Sequence, residues 1–215
     1  MVKTVLDSRG ECDKQMKQFL SILAILLSVA AARARAQGPT AVSLEPNVRY
    51  SQDQMIALLK NCAPHAALNT MLAVATTESG FHPYAISINS PQKLAGKVRL
   101  SNRTIELARQ PNSKLEAVLW MRWLLQHRIS VSVGLLQVNT DNAAQFHLNP
   151  ERLFDPCINI AVGANLLAEA YADQKQAAPN DPDALLHALS IYNSGSANFG
   201  FYNGYVERIL KNARP

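Results

Sequence analysis

Apolar positions along this chain fall mainly at helical spacing, broken by short extended runs. Ser51 and Gln54 stand three apart just before Met55, Ile56, Leu58 and Leu59. In that S-x-x-Q arrangement the two side chains satisfy each other's backbone N–H groups at a helix start, so a first helix is expected to about Asn61. Leu68, Met71, Leu72 and Ala75 recur at i, i+3, i+4 and i+7, one face of a helix over 65–79. Gly80 can take the left-handed conformation that ends it. Ser113 and Glu116 form another capping box, opening a helix through about His127. Asp155-Pro156 supplies the cap and first-turn residue of a helix to about Asp173. Its apolar residues lie nearly all round, which predicts a central, buried position. Asp181-Pro182 repeats the start signal for a helix ending at Asn193, with Gly195 beyond.

Residues 81–112 are the least helical stretch, and Lys97–Leu100 and Thr104–Leu107 are expected to pair as a hairpin across Ser101-Asn102-Arg103. Residues 130–139 are short, apolar and interrupted by Gly134. There are no internal repeats or low-complexity tracts and no second domain. The expected fold class is mainly α (α+β), a single helical domain with a small β-hairpin element.

One apolar run does not fit a folded domain. Phe19–Ala32 holds 14 uncharged residues, preceded by Lys14 and Lys17 and followed by Ala34-Arg35-Ala36. A basic start, an apolar centre and small residues at a cleavage position describe a secretory signal peptide, and the run is short for the ~30 Å hydrocarbon core of a bilayer. Residues 1–36 are therefore read as a leader, cleaved after Ala36 and leaving no stable membrane insertion. Met16-Lys17-Gln18 begins a signal peptide by itself, so 16–36 is read as the signal and 1–15 as an upstream extension of artefactual origin. The mature domain is then 37–215, in the periplasm.

The leader changes the meaning of the charge. It holds six of the 21 Lys/Arg and three of the 16 Asp/Glu, which leaves 15 and 13 and a net charge of about +2 for the domain. No basic block points to nucleic acid. Removing the leader also removes Cys12 and leaves Cys62 and Cys157. Two cysteines in an oxidising compartment are expected to form one bridge, the alternative being two unpaired buried thiols. No metal-binding spacing such as Cys-x-x-Cys or His-Glu-x-x-His occurs, and no cofactor is implied.

Glu78 falls three residues after Ala75 and seven after Met71, at the edge of the apolar stripe. Desolvation there raises a carboxyl pKa toward neutrality, which suits a general acid; position alone also allows a solvated Glu in a last helical turn. Trp120 and Trp123 read as core residues of an apolar helix, with a sugar-stacking platform as the alternative. His82 and His127 form no triad or metal arrangement with other residues.

Three short segments then appear in order: Glu78-Ser79-Gly80, Gly134-Leu135-Leu136-Gln137-Val138-Asn139 and Ile191-Tyr192-Asn193. Together they resemble the soluble lytic transglycosylase family, with Ile191 where the family usually has Ala. Residues 78–89, the Ser132-Val133-Gly134 lead-in, Leu153–Ile160 and Gly200–Val206 look like the branch serving type IV secretion and conjugation systems. The likeness covers essentially residues 50–210. It implies a lysozyme-like fold and cleavage of peptidoglycan between N-acetylmuramic acid and N-acetylglucosamine, with a 1,6-anhydro product and secretion-system components as possible partners. It also implies that Glu78 is the catalytic acid and base, and that Ser79, Gly134, Leu135, Gln137, Asn139, Tyr192 and Asn193 bind substrate. Gln137 and Asn139 would share a face of an extended segment, the glycine backbone would approach a sugar, and the Tyr192 hydroxyl would lie near Glu78. Asp141 and Asp155 read as helix caps, so no second acid is evident. A hydrolytic lysozyme needs that second carboxylate, and a non-catalytic wall-binding assembly protein would not need Glu78.

Overall fold

The computed structural model describes residues 48–89, 105–107 and 109–213. The helices are α1 (Gln52–Cys62), α2 (Leu68–Ser79), α3 (Lys114–Gln126), α4 (Pro156–Ala177), α5 (Ala184–Ser194), α6 (Phe199–Tyr202) and α7 (Tyr205–Asn212). The strands are β1 (Ile86–Ile88), β2 (Ile105–Glu106), β3 (Val131–Val133) and β4 (Val138–Asn139), in an antiparallel sheet ordered β2-β1-β3-β4. A mainly α chain with a small β element is the expected class. The leader and its cleavage position lie outside the described residues.

The expected start signals act with differing completeness. At α1 both bonds of the capping box form. At α3 only Ser113 plays its part, accepting from Glu116 N; the Glu116 carboxylate instead accepts from Asn112 N and pairs with Arg109. Asp155 caps α4 through Cys157 N and Ile158 N. Asp181 does not cap α5: its carboxylate accepts from Asp183 N in a turn, and the helix begins at Ala184. Gly80 and Gly195 end α2 and α5 in the left-handed conformation.

The core joins Met55 and Leu59 of α1, Met71, Val74 and Ala75 of α2, Met121 of α3, Ile160 and Leu167 of α4, Leu189 of α5 and Tyr205 and Ile209 of α7. Only the part of α4 up to Ala170 is central; beyond it the helix runs out into solvent. Cys62 and Cys157 form a disulfide with a Cα–Cα distance of 5.1 Å, tying the end of α1 to the start of α4.

Of the expected hairpin, only part of the second strand lies among the described residues. Ile105 and Glu106 form β2, which pairs with β1, Ile88 facing Ile105; Lys97–Leu100 and the Ser101–Arg103 turn lie outside the described residues. The central pairing is β1 with β3, Ile86 opposite Val133 and Ile88 opposite Val131. Trp123 corrects an expectation. It is 53% exposed and stacks at 4.1 Å on His127, one turn away. Leu115, Leu119 and Trp123 share the outer face of α3, so apolar character there did not mark the core.

Candidate functional site

The site forms where α2, α5, α7 and the turn after β3 meet. Packing of α2 against α7 brings together two residues 127 positions apart: the Tyr205 hydroxyl donates to Glu78 Oε1 at 2.6 Å. From the other end of α7 Asn212 Nδ2 donates to Thr77 Oγ1, next to Glu78 in the chain, at 2.9 Å. Tyr205 is buried and begins α7 directly after Gly204, which has a positive φ of 73°.

Glu78 lies in the last turn of α2, where the helix dipole gives a carboxylate no support. The residue keeps partial solvent access, yet its carboxyl group is enclosed by protein. Desolvation is the dominant influence and raises its pKa from 4.5 to about 7. The Tyr205 hydrogen bond and the Arg208 charge oppose the shift without cancelling it. Burial and the Glu78 charge hold Tyr205 and Tyr192 well above the usual phenol range, so both remain donors. A carboxyl group near neutrality can give up a proton or regain one with little driving force either way. Among the described residues no second carboxylate is among the charges acting on Glu78, and none forms a metal-binding group with others.

The turn over Gly134–Gln137 is built around Asn159. This Asn is buried; its Oδ1 accepts from Leu136 N at 2.8 Å, and its Nδ2 donates to Val133 O at 2.9 Å and Leu153 O at 2.8 Å. The turn in turn receives the site's other hydroxyls: Ser79 Oγ donates to Leu135 O at 2.8 Å, and Tyr192 OH donates to Leu136 O at 2.6 Å. Arg49 completes the end of α2 by donating to Ser79 O and Gly80 O. Phe81 and Gln137, one on each side of this junction, both carry positive φ, 68° and 47°, a conformation that costs a residue with a side chain some strain.

Residues 56–214 match the family described as Transglycosylase SLT domain. The chain belongs to this family. "Protein virB1" of Agrobacterium fabrum (strain C58 / ATCC 33970) is 33% identical over 150 residues, 70% of this chain and 55% of that protein. "Type IV secretion system protein virB1" of Brucella abortus biovar 1 (strain 9-941) is 31% identical over 164 residues, 74% of this chain and 63% of that protein. The chain thus spans little more than half the length of the first of these curated relatives. No solved structure matches it.

Within the SLT domain several expected site residues have internal partners. Gln137 does not lie in an extended segment with Asn139. It ends the turn, 8% exposed; its Nε2 donates to Ala85 O and Gly134 O, and its Oε1 accepts from Ser87 Oγ. Asn139, not Asp141, caps the short 3-10 turn Thr140–Ala144, its Oδ1 accepting from Asp141 N. Ser130 Oγ donates to both Asn139 and Asp141. Gly134 makes room for protein rather than for a ligand: at φ 81°, an added Cβ would meet Asn159 Nδ2 at 2.3 Å and Leu153 O at 2.8 Å. Leu135 is fully buried. Tyr192 lies near enough to feel the Glu78 charge, although its hydroxyl is engaged by Leu136. Asn193 is exposed and accepts from Asn203 Nδ2 at 2.8 Å, while Asn203 Oδ1 accepts from Tyr205 N.

Two residues of this candidate site were not singled out by the sequence. Tyr205 lies inside the quoted Gly200–Val206 segment, and its signal was a tyrosine directly after a helix-starting glycine. Asn159 lies inside the quoted Leu153–Ile160 segment. Its signal was an amide on the inward face of a capped helix, where an unbonded polar group would be costly.

Proposed function

We propose that this protein is a lytic transglycosylase that cuts the β-1,4 bond between N-acetylmuramic acid and N-acetylglucosamine in peptidoglycan. The carrying observation is the one carboxyl of the site among the described residues, Glu78, raised to about 7 and bonded by a phenol that stays protonated. In the proposed step the Glu78 proton passes to the glycosidic oxygen as the C1–O bond breaks. The resulting carboxylate then takes the proton of the muramyl C6 hydroxyl as O6 bonds to C1. Glu78 ends as it began, no water is consumed, and the product carries a 1,6-anhydro ring. Tyr205 keeps its proton throughout, and its bond to Oε1 strengthens while Glu78 is charged. One carboxyl group suffices because the substrate supplies the nucleophile.

Asn193, exposed beside Asn203, is the residue we assign to a substrate acetamido or hydroxyl group. Ser79, Gly134, Leu135, Gln137, Asn139 and Tyr192 serve the substrate by holding the wall around Glu78 in shape. The virB1 relatives, one of them named a type IV secretion system protein, support local opening of the cell wall for such an apparatus. The 37–215 domain would act in the periplasm after removal of the 1–36 leader. Among the described residues no helix is long and apolar enough to cross a membrane.

The test is digestion of purified sacculi by the mature protein with mass spectrometry of the released muropeptides, alongside Asp141→Asn as a control. Anhydro-muramyl ends, with turnover retained in the control, are expected. Reducing ends alone, with Asp141→Asn inactive, would mean a two-carboxylate hydrolase instead.

A further inference from the structure

Three arginines of the described domain are committed to partners close at hand. Arg109 and Arg122 are paired with Glu116 and Glu151, and Arg49 donates to the carbonyls ending α2. Arg208 differs. It is exposed one turn into α7, its Nη1 donates to Asn203 O at 3.3 Å, and its Cζ lies 5.8 Å from the Tyr205 ring centroid. The same ring carries the hydroxyl that donates to Glu78 at 2.6 Å. Among the described residues no carboxylate pairs with Arg208. A guanidinium has five N–H donors in a planar fork matched to a carboxylate, and here one bond to the protein uses a single corner of it. Arg208 is thus a cation with open donors at the rim of the candidate catalytic group. Its charge is felt by the Glu78 carboxyl.

We propose that Arg208 is a specificity residue that binds a carboxylate of the peptide carried by the muramyl sugar, selecting strands with acidic stems over neutral ones. This rests on the transglycosylase reading of Glu78. The glycan itself is uncharged near the scissile bond, whereas the peptide attached to the muramyl lactyl group bears free carboxylates. A cation beside the acid therefore meets the one anionic part of the substrate at a position linked to the bond being cut. Seating a carboxylate on Arg208 leaves the Tyr205–Glu78 bond in place, because the two use different faces and atoms of Tyr205.

The experiment compares two soluble strand preparations, one with free stem-peptide carboxylates and one with those carboxylates converted to amides. Wild type, Arg208→Gln, Arg208→Lys and the nearby control Lys211→Gln are each assayed on both, and kcat/KM on acid strands is divided by kcat/KM on amidated strands. Taking this ratio within one enzyme at one pH cancels any change that the substitution makes to Glu78. Wild type and Lys211→Gln are expected to favour acid strands about fivefold, the upper reach of a partly exposed ion pair. The preference should come from KM. It should vanish in Arg208→Gln and return in part in Arg208→Lys. An unchanged ratio in Arg208→Gln, or no preference in wild type, overturns the anchor and leaves the transglycosylase reading intact. A folded wild type that cleaves neither preparation overturns both.

Discussion

Replacing Glu78 by Gln separates two consequences of enclosing one carboxyl group. In the folded protein this group binds its proton up to about pH 7, against an ordinary value of 4.5. Between those values the native state holds a proton that the unfolded chain has released. Wild-type stability therefore falls as pH rises from 4.5 through 7, and levels off above. At about 1.4 kcal/mol per pH unit, the full cost of the buried carboxylate is roughly 3 kcal/mol. Gln has no charge to desolvate and keeps an oxygen that can accept from Tyr205. The variant should match wild type near pH 4.5 and exceed it by up to about 3 kcal/mol at pH 8. Cleavage should meanwhile drop by about 10²–10⁴-fold or more, since Gln cannot transfer the proton. Urea unfolding of both proteins at several pH values, with equal m-values, measures the first effect, and turbidity of sacculi measures the second. A stability difference that stays flat with pH, or that favours wild type at pH 8, refutes the buried-carboxyl argument. Cleavage within tenfold of wild type refutes the assignment of the acid.

Tyr205→Phe removes a hydrogen bond that lowers the Glu78 pKa, so the high-pH limb of the rate profile should move upward. The maximal rate should fall about tenfold or more, the scale of a lost bond to a charged group; a limb that moves downward contradicts the role given to the phenol. Asn159→Ala leaves Leu136 N, Val133 O and Leu153 O without their partner. A loss of about 3 kcal/mol or more in urea unfolding is expected, together with reduced turnover from a slackened turn, and a loss below about 1 kcal/mol would remove Asn159 as the organiser. Replacing both Cys62 and Cys157 by Ser opens a bridge with a sequence separation of 95. The chain-entropy ceiling is about 4–5 kcal/mol, and a double variant as stable as wild type in urea would show that the bridge constrains nothing.

Local chemistry makes much of this fold legible in the sequence. Ser51 with Gln54, Asp155 with Pro156, Gly80 and Gly195 act on backbone groups within four residues, so their helix boundaries follow from neighbours in the chain. Glu78 could be singled out because helical periodicity alone puts it at the edge of an apolar stripe. Cys62 and Cys157 could be paired because, once the leader is set aside, no other cysteine remains. Glu116, Asp141 and Asp181 missed their expected capping roles through partners within four residues, whereas the other positional arguments that failed depended on partners distant in sequence. Trp123 lies on an apolar helix, but whether its face meets the core depends on what packs there. Gln137 and Asn139 alternate in sequence, yet three side-chain bonds from Gln137 and the Asn159 clasp bend the chain into a turn before the strand begins. Gly134 is required by the amide of Asn159, 25 residues on. Above all, the Tyr205–Glu78 bond exists because α7 packs on α2, and no local pattern states which phenol will meet which carboxyl group. Sequence periodicity determined where a carboxyl would be costly; tertiary packing determined how far its pKa rises, because desolvation and hydrogen bonding depend on every atom around it.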